Sequence, residues 1–381
     1  MTYTKNSQKN INNFTLLIQA NSPGEIANWA IPFARLFRIE VPKSTIILVI
    51  TPCQYASKNE KEVALKSQAF DQVYNPKETF KLLFSWPWLK KKYAKGAVLS
   101  LGGDPFYSKL LGFKYRLPVF VYTERKKFKS FFIKDVFSKK EIGDLMFEKI
   151  KQIKNSLDRN SILKKYQLPD QKYCLFFAGS RPQHFKALVP YYAEAAQIIK
   201  AKHKDFNVIL QISPFITDEL LAEVKKEVNL DAFIVLKGDS LELMHISSLL
   251  LTIPSTSTSE AMYLGLPMVV ILPTNRPDLI IFDGLLGLIG NLPILGFILK
   301  KIVITILARV AKNRFFALPN MIAQKEVVPE IKGDLHTPFV AAKLEHLFYD
   351  EAALQKIKTG LAAIPFNENT ALAMIDKIYL K

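Results

Sequence analysis

Several short strings in this 381-residue chain combine residue types and spacings that can do chemistry. Ala178-Gly179-Ser180-Arg181 brings together a flexible glycine, a hydroxyl and a permanent cation. Gly179, Ser180 and Arg181 suit a diphosphate: amides cradle the oxygens and the guanidinium neutralises them. A capped helix with a solvated arginine is the plainer alternative. Pro254 is followed by five consecutive hydroxyl residues, Ser255, Thr256, Ser257, Thr258 and Ser259, and then by Glu260. A helix N-cap needs only one hydroxyl. The surplus offers donors to phosphate oxygens, and Glu260 can accept two hydrogen bonds from a ribose diol.

Two further strings carry carboxylates. Ser22-Pro23-Gly24-Glu25 follows a strand-like run, where a helix start favours an anion and Gly24 permits close approach. The plainer reading is a strand-to-helix turn in which Glu25 complements the helix dipole. Gly102-Gly103-Asp104-Pro105 places an acid beside two glycines after another strand, a position suited to a general base. An Asp-Pro turn, with the Asp bonding its own backbone, would look the same. In Leu318 to Glu330, polar Asn320, Gln324 and Glu326 interleave with apolar residues between prolines and can line a cleft; an amphipathic helix followed by a turn explains the same pattern. The five histidines do not cluster, although His184 follows the Arg181 turn. No G-x-G-x-x-G, P-loop, nucleophile elbow or metal-ligand set is present, so neither a metal nor a cofactor is expected.

The elements that must hold these strings read as alternating strands and helices. Strands are predicted at 14–20, 44–51, 97–101 and 117–123, with a helix over 25–37. A charged, helix-like stretch spans 139–165 and ends before Pro169. The pattern restarts with strands at 173–178, 207–212, 232–236, 248–253 and 268–272, and helices at 187–203, 217–228, 240–247 and 258–264. The fold class is α/β: two Rossmann-like, doubly wound domains facing a central cleft. The expected division is 1–165 and 166–359, with a terminal helix over about 360–381 returning to the first domain.

Charge narrows the partners. The formal charge is +18, and residues 77–140 hold 16 Lys and Arg against four acids, so +12 of the excess lies there. Only nine basic residues are Arg, which favours a diffuse anionic surface over base readout and argues against nucleic acid. In the same segment, Trp86 and Trp88 precede Lys90, Lys91 and Lys92. That mixture is typical of an element lying in a membrane interface, although a core helix with a solvated Lys face has the same composition. The apolar run 284–299 is shorter than the roughly 18–20 residues that span a bilayer. The first 13 residues are polar and unlike a signal peptide. Two cysteines, Cys53 and Cys174, form no framework, which points to a reduced, cytosolic setting.

Together these strings resemble lipid-A-disaccharide synthase, a GT-B glycosyltransferase family. Ala178-Gly179-Ser180-Arg181 is similar to its L-P-G-S-R turn. Ser255 to Ala261, with Gly265-Leu266-Pro267, is similar to its S-G-T-A-T-L-E-A segment and the proline-flanked strand after it. Leu318-Pro319-Asn320-Met321-Ile322-Ala323 and Glu326-Val327-Val328-Pro329-Glu330 resemble its L-P-N-x-I-A…E-V-V-P-E segment, the most specific of the three. The first half is looser. Gly24-Glu25 match, but Ala27-Asn28-Trp29 stand where the family has Ser-Gly-Asp, and Gly102 to Phe106 has one acid fewer than G-I-D-x-P-D-F.

The resemblance implies metal-free, inverting transfer from a UDP-sugar to a lipid-linked sugar on the cytosolic membrane face. By it, Arg181 holds the diphosphate, Ser255 to Ser259 donate to it and Glu260 holds the ribose. Asn320, Gln324 and Glu326 border the donor, Asp104 is the acceptor's base and Glu25 assists. The departures leave two other readings open: a related enzyme with another glycolipid acceptor, and a non-catalytic membrane-surface protein that retains the fold.

Overall fold

The structure is a computed structural model that describes residues 13–52, 59–85, 93–123, 131–273, 314–333 and 336–379. The chain divides into two compact units, Met1–Glu148 with Asn367–Lys381, and Lys149–Phe366.

The first unit is built on six parallel strands: β1 (Phe14–Ala20), β2 (Ser44–Ile50), β3 (Gln72–Tyr74), β4 (Lys95–Ser100), β5 (Val119–Thr123) and β6 (Asp135–Ser138). Their order across the sheet is β3-β2-β1-β4-β5-β6. Every residue of β1 is buried, as expected of a strand covered on both faces. Phe14, Leu16, Ile18 and Ala20 enter one core and Leu17 the other, as a period of two requires. Thr15 and Gln19 share the face of Leu17 and are its polar members.

The second unit repeats the plan with β7 (Tyr173–Phe177), β8 (Asn207–Ile212), β9 (Ile234–Lys237), β10 (Leu249–Thr252), β11 (Met268–Pro273) and β12 (Glu330–Gly333). The order is β12-β11-β10-β7-β8-β9, again all parallel. Within each unit the first strand lies beside the fourth, the doubly wound order in which ligands bind where the winding reverses. The α/β class of two Rossmann-like units therefore stands.

Three strands escape the pattern in the sequence, and all three are sheet edges: β3, β6 and β12. They are three or four residues long and carry Gln72, Asp135, Glu330 or Lys332 among few apolar residues. These edge strands are short and hold only one or two apolar residues each, so they lack the apolar run that marks a central one.

The helices also differ in detail. Chain 23–40 is helical throughout: Pro23–Glu25, a π-helical turn over Ile26–Ala30, then Ile31–Glu40. The stretch 139–165 is three helices, Lys139–Ile142, Leu145–Lys154 and Arg159–Lys165. Gly143, at φ +112°, separates the first two, and Asp158 caps the third. The last helix, Thr370–Tyr379, packs on the first unit. The Thr370 hydroxyl donates to Ile142 O (2.9 Å), and Glu148 accepts from the Ala371 amide at 2.9 Å.

Candidate functional site

In the first unit, β1 and β4 are paired so that Gln19 faces Ser100. The turns that follow them, Asn21–Glu25 and Leu101–Asp104, therefore lie side by side at the reversal. Glu25 closes a capping box with Ser22: its Oε2 accepts from the Ser22 amide (3.2 Å), and its own amide donates to Ser22 Oγ (3.4 Å). The Asn21 amide donates to the same oxygen at 3.0 Å. Burial pushes the Glu25 carboxyl above its usual range, while hydrogen bonds from the Asn21, Ser22 and Gly103 amides pull it back. The carboxyl lies against Gly102, where a Cβ would sit 2.0 Å from Glu25 Cδ. Gly103 has φ +71°, a left-handed conformation that glycine adopts without cost. Thus the amides that hold a phosphate in many such turns are filled here by the chain's own carboxylate.

Asp104 is exposed and caps the helix Pro105–Tyr115, its Oδ1 accepting from the Phe106 amide at 2.9 Å. The turn it ends is held from beneath by Gln19, which is 0% exposed. Gln19 Nε2 donates to Gly102 O (2.8 Å) and Asp104 O (3.0 Å), and its Oε1 accepts from the Ser108 hydroxyl. Sequence reading passes over Gln19. The available signal was one amide near the end of an otherwise apolar strand.

In the second unit, β7 and β10 are neighbours, with Phe176 opposite Leu251. This pairing brings the Gly179–Arg181 turn and the hydroxyl run together at the reversal. Gly179 has φ +85°, and a Cβ would meet only His184, at an ordinary 3.7 Å, so backbone conformation rather than space demands the glycine. Ser180 and Arg181 are half-buried. Arg181 is the N-cap of the helix Pro182–Lys202, which begins a turn earlier than its apolar pattern suggests, and its side chain makes no capping bond.

Of the hydroxyls, Thr256 is exposed, Ser255 is half-buried, and Ser257, Thr258 and Ser259 are buried. Ser257 Oγ lies 2.7 Å from both Thr252 Oγ1 and Ser255 Oγ, and the Thr258 hydroxyl donates to Ser255 O at 2.8 Å. These bonds shape the turn from inside. Glu260 is buried within the helix Thr256–Leu264.

The helix Leu318–Ala323 packs against the helix Thr256–Leu264. Asn320, 0% exposed, is fully committed within the protein. Its Nδ2 donates to Val328 O and Glu330 Oε1, both at 2.8 Å, and its Oδ1 accepts from the Val327 (2.7 Å) and Val328 (2.9 Å) amides. Glu330 in turn accepts from the Phe316 and Ala317 amides and pairs with Lys332. The Asn and the final Glu of the most specific string are therefore two ends of one clamp. Gln324, at φ +53°, and Glu326 are exposed beyond it.

Among the described residues no three His, Cys, Asp or Glu are placed to hold a metal, and no helix is long and apolar enough to cross a membrane. Cys174 is buried, and burial pushes its thiol up. Trp86, Trp88, Lys90, Lys91, Lys92, Cys53 and the run 284–299 lie outside the described residues.

Two doubly wound units in one chain, each with its polar strings gathered where the strand order reverses, define the GT-B class of fold. Solved structures agree at the level of fold. A putative UDP-N-acetylglucosamine 2-epimerase from Listeria monocytogenes superposes with TM-score 0.61 at 12% identity, covering 97% of each chain. The kitacinnamycin glycotransferase superposes with TM-score 0.51 at 11% identity, covering 97% of this chain and 98% of that one. At the level of family, the model described as lipid-A-disaccharide synthetase matches residues 124–289. The lipid-A-disaccharide synthase of Wigglesworthia glossinidia brevipalpis is 26% identical over 204 residues, 53% of this chain and 46% of that protein. That of Geobacter sulfurreducens is 23% identical over 215 residues, 56% and 49% of the two chains. The chain thus spans about half the length of these curated relatives, and the family match at 124–289 includes the Ala178–Arg181 and Ser255–Glu260 strings but ends before Leu318.

Proposed function

We propose that the protein is an inverting glycosyltransferase that moves a sugar, an acylated glucosamine, from a UDP-sugar to a lipid-linked sugar. The carrying observation is the opposite chemistry of the two strand reversals. The second unit gathers a left-handed glycine, a hydroxyl-rich helix start and Arg181, a set that welcomes a diphosphate. The first gathers Glu25 and the Asp104 turn, with its amides already filled by carboxylate, a set that repels a diphosphate and suits a hydroxyl acceptor.

In this reading Asp104 takes the proton from the acceptor hydroxyl as that oxygen attacks the anomeric carbon from the face opposite UDP. The bond to the diphosphate breaks, and Arg181, Ser180 and the Gly179 turn hold the departing charge, the task a metal performs in other enzymes. Glu260 holds the ribose. Gln324 and Glu326 border the donor, while Asn320 serves the same border by shaping it.

The acceptor arrives from an anionic membrane surface at the cytosolic face. Phe80, Phe84, Phe106, Phe113, Phe131 and Phe132 are all exposed large aromatics of the first unit, which also carries the +12 segment. Phe131 is 97% exposed, and the Phe80 and Phe84 rings lie 4.4 Å apart. Exposed rings among lysines fit an interface between headgroups and acyl chains. A related enzyme with a different glycolipid acceptor is favoured by one observation: Ala27-Asn28-Trp29, the acceptor-side departure, forms the π-helical turn beside Glu25.

The test is UDP release from UDP-2,3-diacylglucosamine on anionic vesicles, with monoacyl- and diacylglucosamine phosphates as acceptors. Disaccharide made by the wild type, and made far more slowly but still measurably by Asp104→Asn and Glu260→Ala, is the expected result. No disaccharide, but UDP binding that weakens in Glu260→Ala, moves the acceptor to another glycolipid. Neither turnover nor UDP binding sinks the glycosyltransferase reading.

A further inference from the structure

We propose that Gln19 is a positioning residue for the transfer: it sets the direction of the Asp104 side chain by pinning the backbone on both sides of Gly103. The inference rests on reading Asp104 as the acceptor's base. The carboxamide of Gln19 offers two N–H groups and one acceptor, and all are engaged. The two N–H groups meet the carbonyls of Gly102 (2.8 Å) and Asp104 (3.0 Å), and the carbonyl takes the Ser108 hydroxyl. Gln19 and Ser108 are both 0% exposed, so water does not compete for these bonds.

The geometry gives this side chain control over the turn. Gly103, at φ +71°, is the residue about which the turn can swing most freely. The carbonyls held by Gln19 belong to the residues flanking it. Fixing both orients the peptide plane that enters Gly103 and the one that leaves Asp104, and between them the Cα–Cβ bond of Asp104. Ser108 fixes the other end, because its hydroxyl decides which side of the carboxamide faces the helix Pro105–Tyr115 and so leaves the N–H groups aimed at the turn. Strand end, turn and helix are joined through one side chain.

A purely structural role would cost stability and slow every variant alike. A positioning role acts through Asp104 and disappears when the base does. The experiment measures kcat and the donor KM for Gln19→Met, Ser108→Ala and Asp104→Asn, and for each of the first two combined with Asp104→Asn, in the vesicle assay above. Thermal unfolding shows which variants are folded. Gln19→Met keeps the length and removes all three hydrogen bonds. It should lower kcat by about 10- to 100-fold, the usual consequence of an ångström-scale misplacement, with the donor KM within about twofold. Added to Asp104→Asn, it should lower kcat by less than about twofold more. Ser108→Ala, a smaller change that carries the test if Gln19→Met fails to fold, should lower kcat by about 3- to 10-fold with the same non-additivity.

An equal loss in both backgrounds overturns the positioning role, as does a Gln19→Met or folded Ser108→Ala enzyme with wild-type kcat. If Asp104→Asn itself turns over at the wild-type rate, the base reading fails and the role of Gln19 falls with it.

Discussion

Replacing Gly102 by Ala should destabilise the first unit through Glu25 and through nothing else. A Cβ on Gly102 would lie 2.0 Å from Glu25 Cδ and Oε2 and 2.4 Å from Oε1. The carboxyl must retreat by about 1.5 Å to reach the roughly 3.5 Å of an ordinary carbon contact. That movement breaks the bonds from the Asn21 and Ser22 amides, now 3.0 and 3.2 Å long. Bonds to a charged group contribute about 1.5–3 kcal/mol each. Release of a carboxyl that burial disfavours returns part of that sum. The backbone itself is no obstacle, since Gly102 is not among the positive-φ residues, and Gly→Ala at such a site gains about 0.4–1 kcal/mol through the unfolded chain. The net expectation is a loss of about 2 kcal/mol. Denaturant unfolding of the wild type, Gly102→Ala, Glu25→Ala and the double variant measures it. In the Glu25→Ala background the space is vacated, so adding Gly102→Ala should change stability by less than about 0.5 kcal/mol. A Gly102→Ala penalty of the same size in both backgrounds would refute the reasoning, because the clash would then lie with the backbone.

The remaining expectations concern protonation, the clamp and the donor turn. Because burial raises the folded pKa of Glu25 above its usual 4.5, the folded state holds that proton more tightly than the unfolded chain. Its contribution is therefore fully present below pH 4.5 and is lost as pH rises through the folded value. Glu25→Gln should flatten that decline in a series of unfolding curves from acid to neutral pH; an unchanged slope would contradict the burial argument. Asn320→Ala removes four hydrogen bonds of a buried side chain and should cost about 3 kcal/mol, read from the urea midpoint. Arg181→Ala should act on the ligand, weakening UDP binding by about 10- to 100-fold in calorimetry. Ser257→Ala should do the reverse, lowering stability by about 1–2 kcal/mol while UDP affinity changes only a few-fold, since its hydroxyl is spent on Thr252 and Ser255.

Much of this was legible in the chain because central parallel strands must be apolar on both faces. Phe14–Ala20 and Tyr173–Phe177 announce themselves for that reason, and the polar strings after them mark strand ends. Less was legible where a residue's partner is remote in sequence. Gln19 and Asp104 are 85 positions apart, and nothing local in an amide within FTLLIQA says which carbonyls it will hold. Asn320 has the look of a cleft-lining side chain until Val328 and Glu330 are seen closing around it. Asp104 shows the overlap most directly: the Asp-Pro turn foreseen as the plainer alternative to a general base is present, one oxygen capping the helix, and the group is exposed to solvent as well.

The sequence by itself determined the α/β class and the doubling of the domain, and it marked the candidates for the diphosphate and proton-taking roles, because residue type and hydrophobic period are local properties. Only the tertiary structure decided which strings meet. Strand order places β1 beside β4 and β7 beside β10, and strand order depends on pairing across tens of residues that no local pattern records. The same packing decided which polar groups are spent inside the protein, since a buried hydrogen bond is known only when both partners are in place.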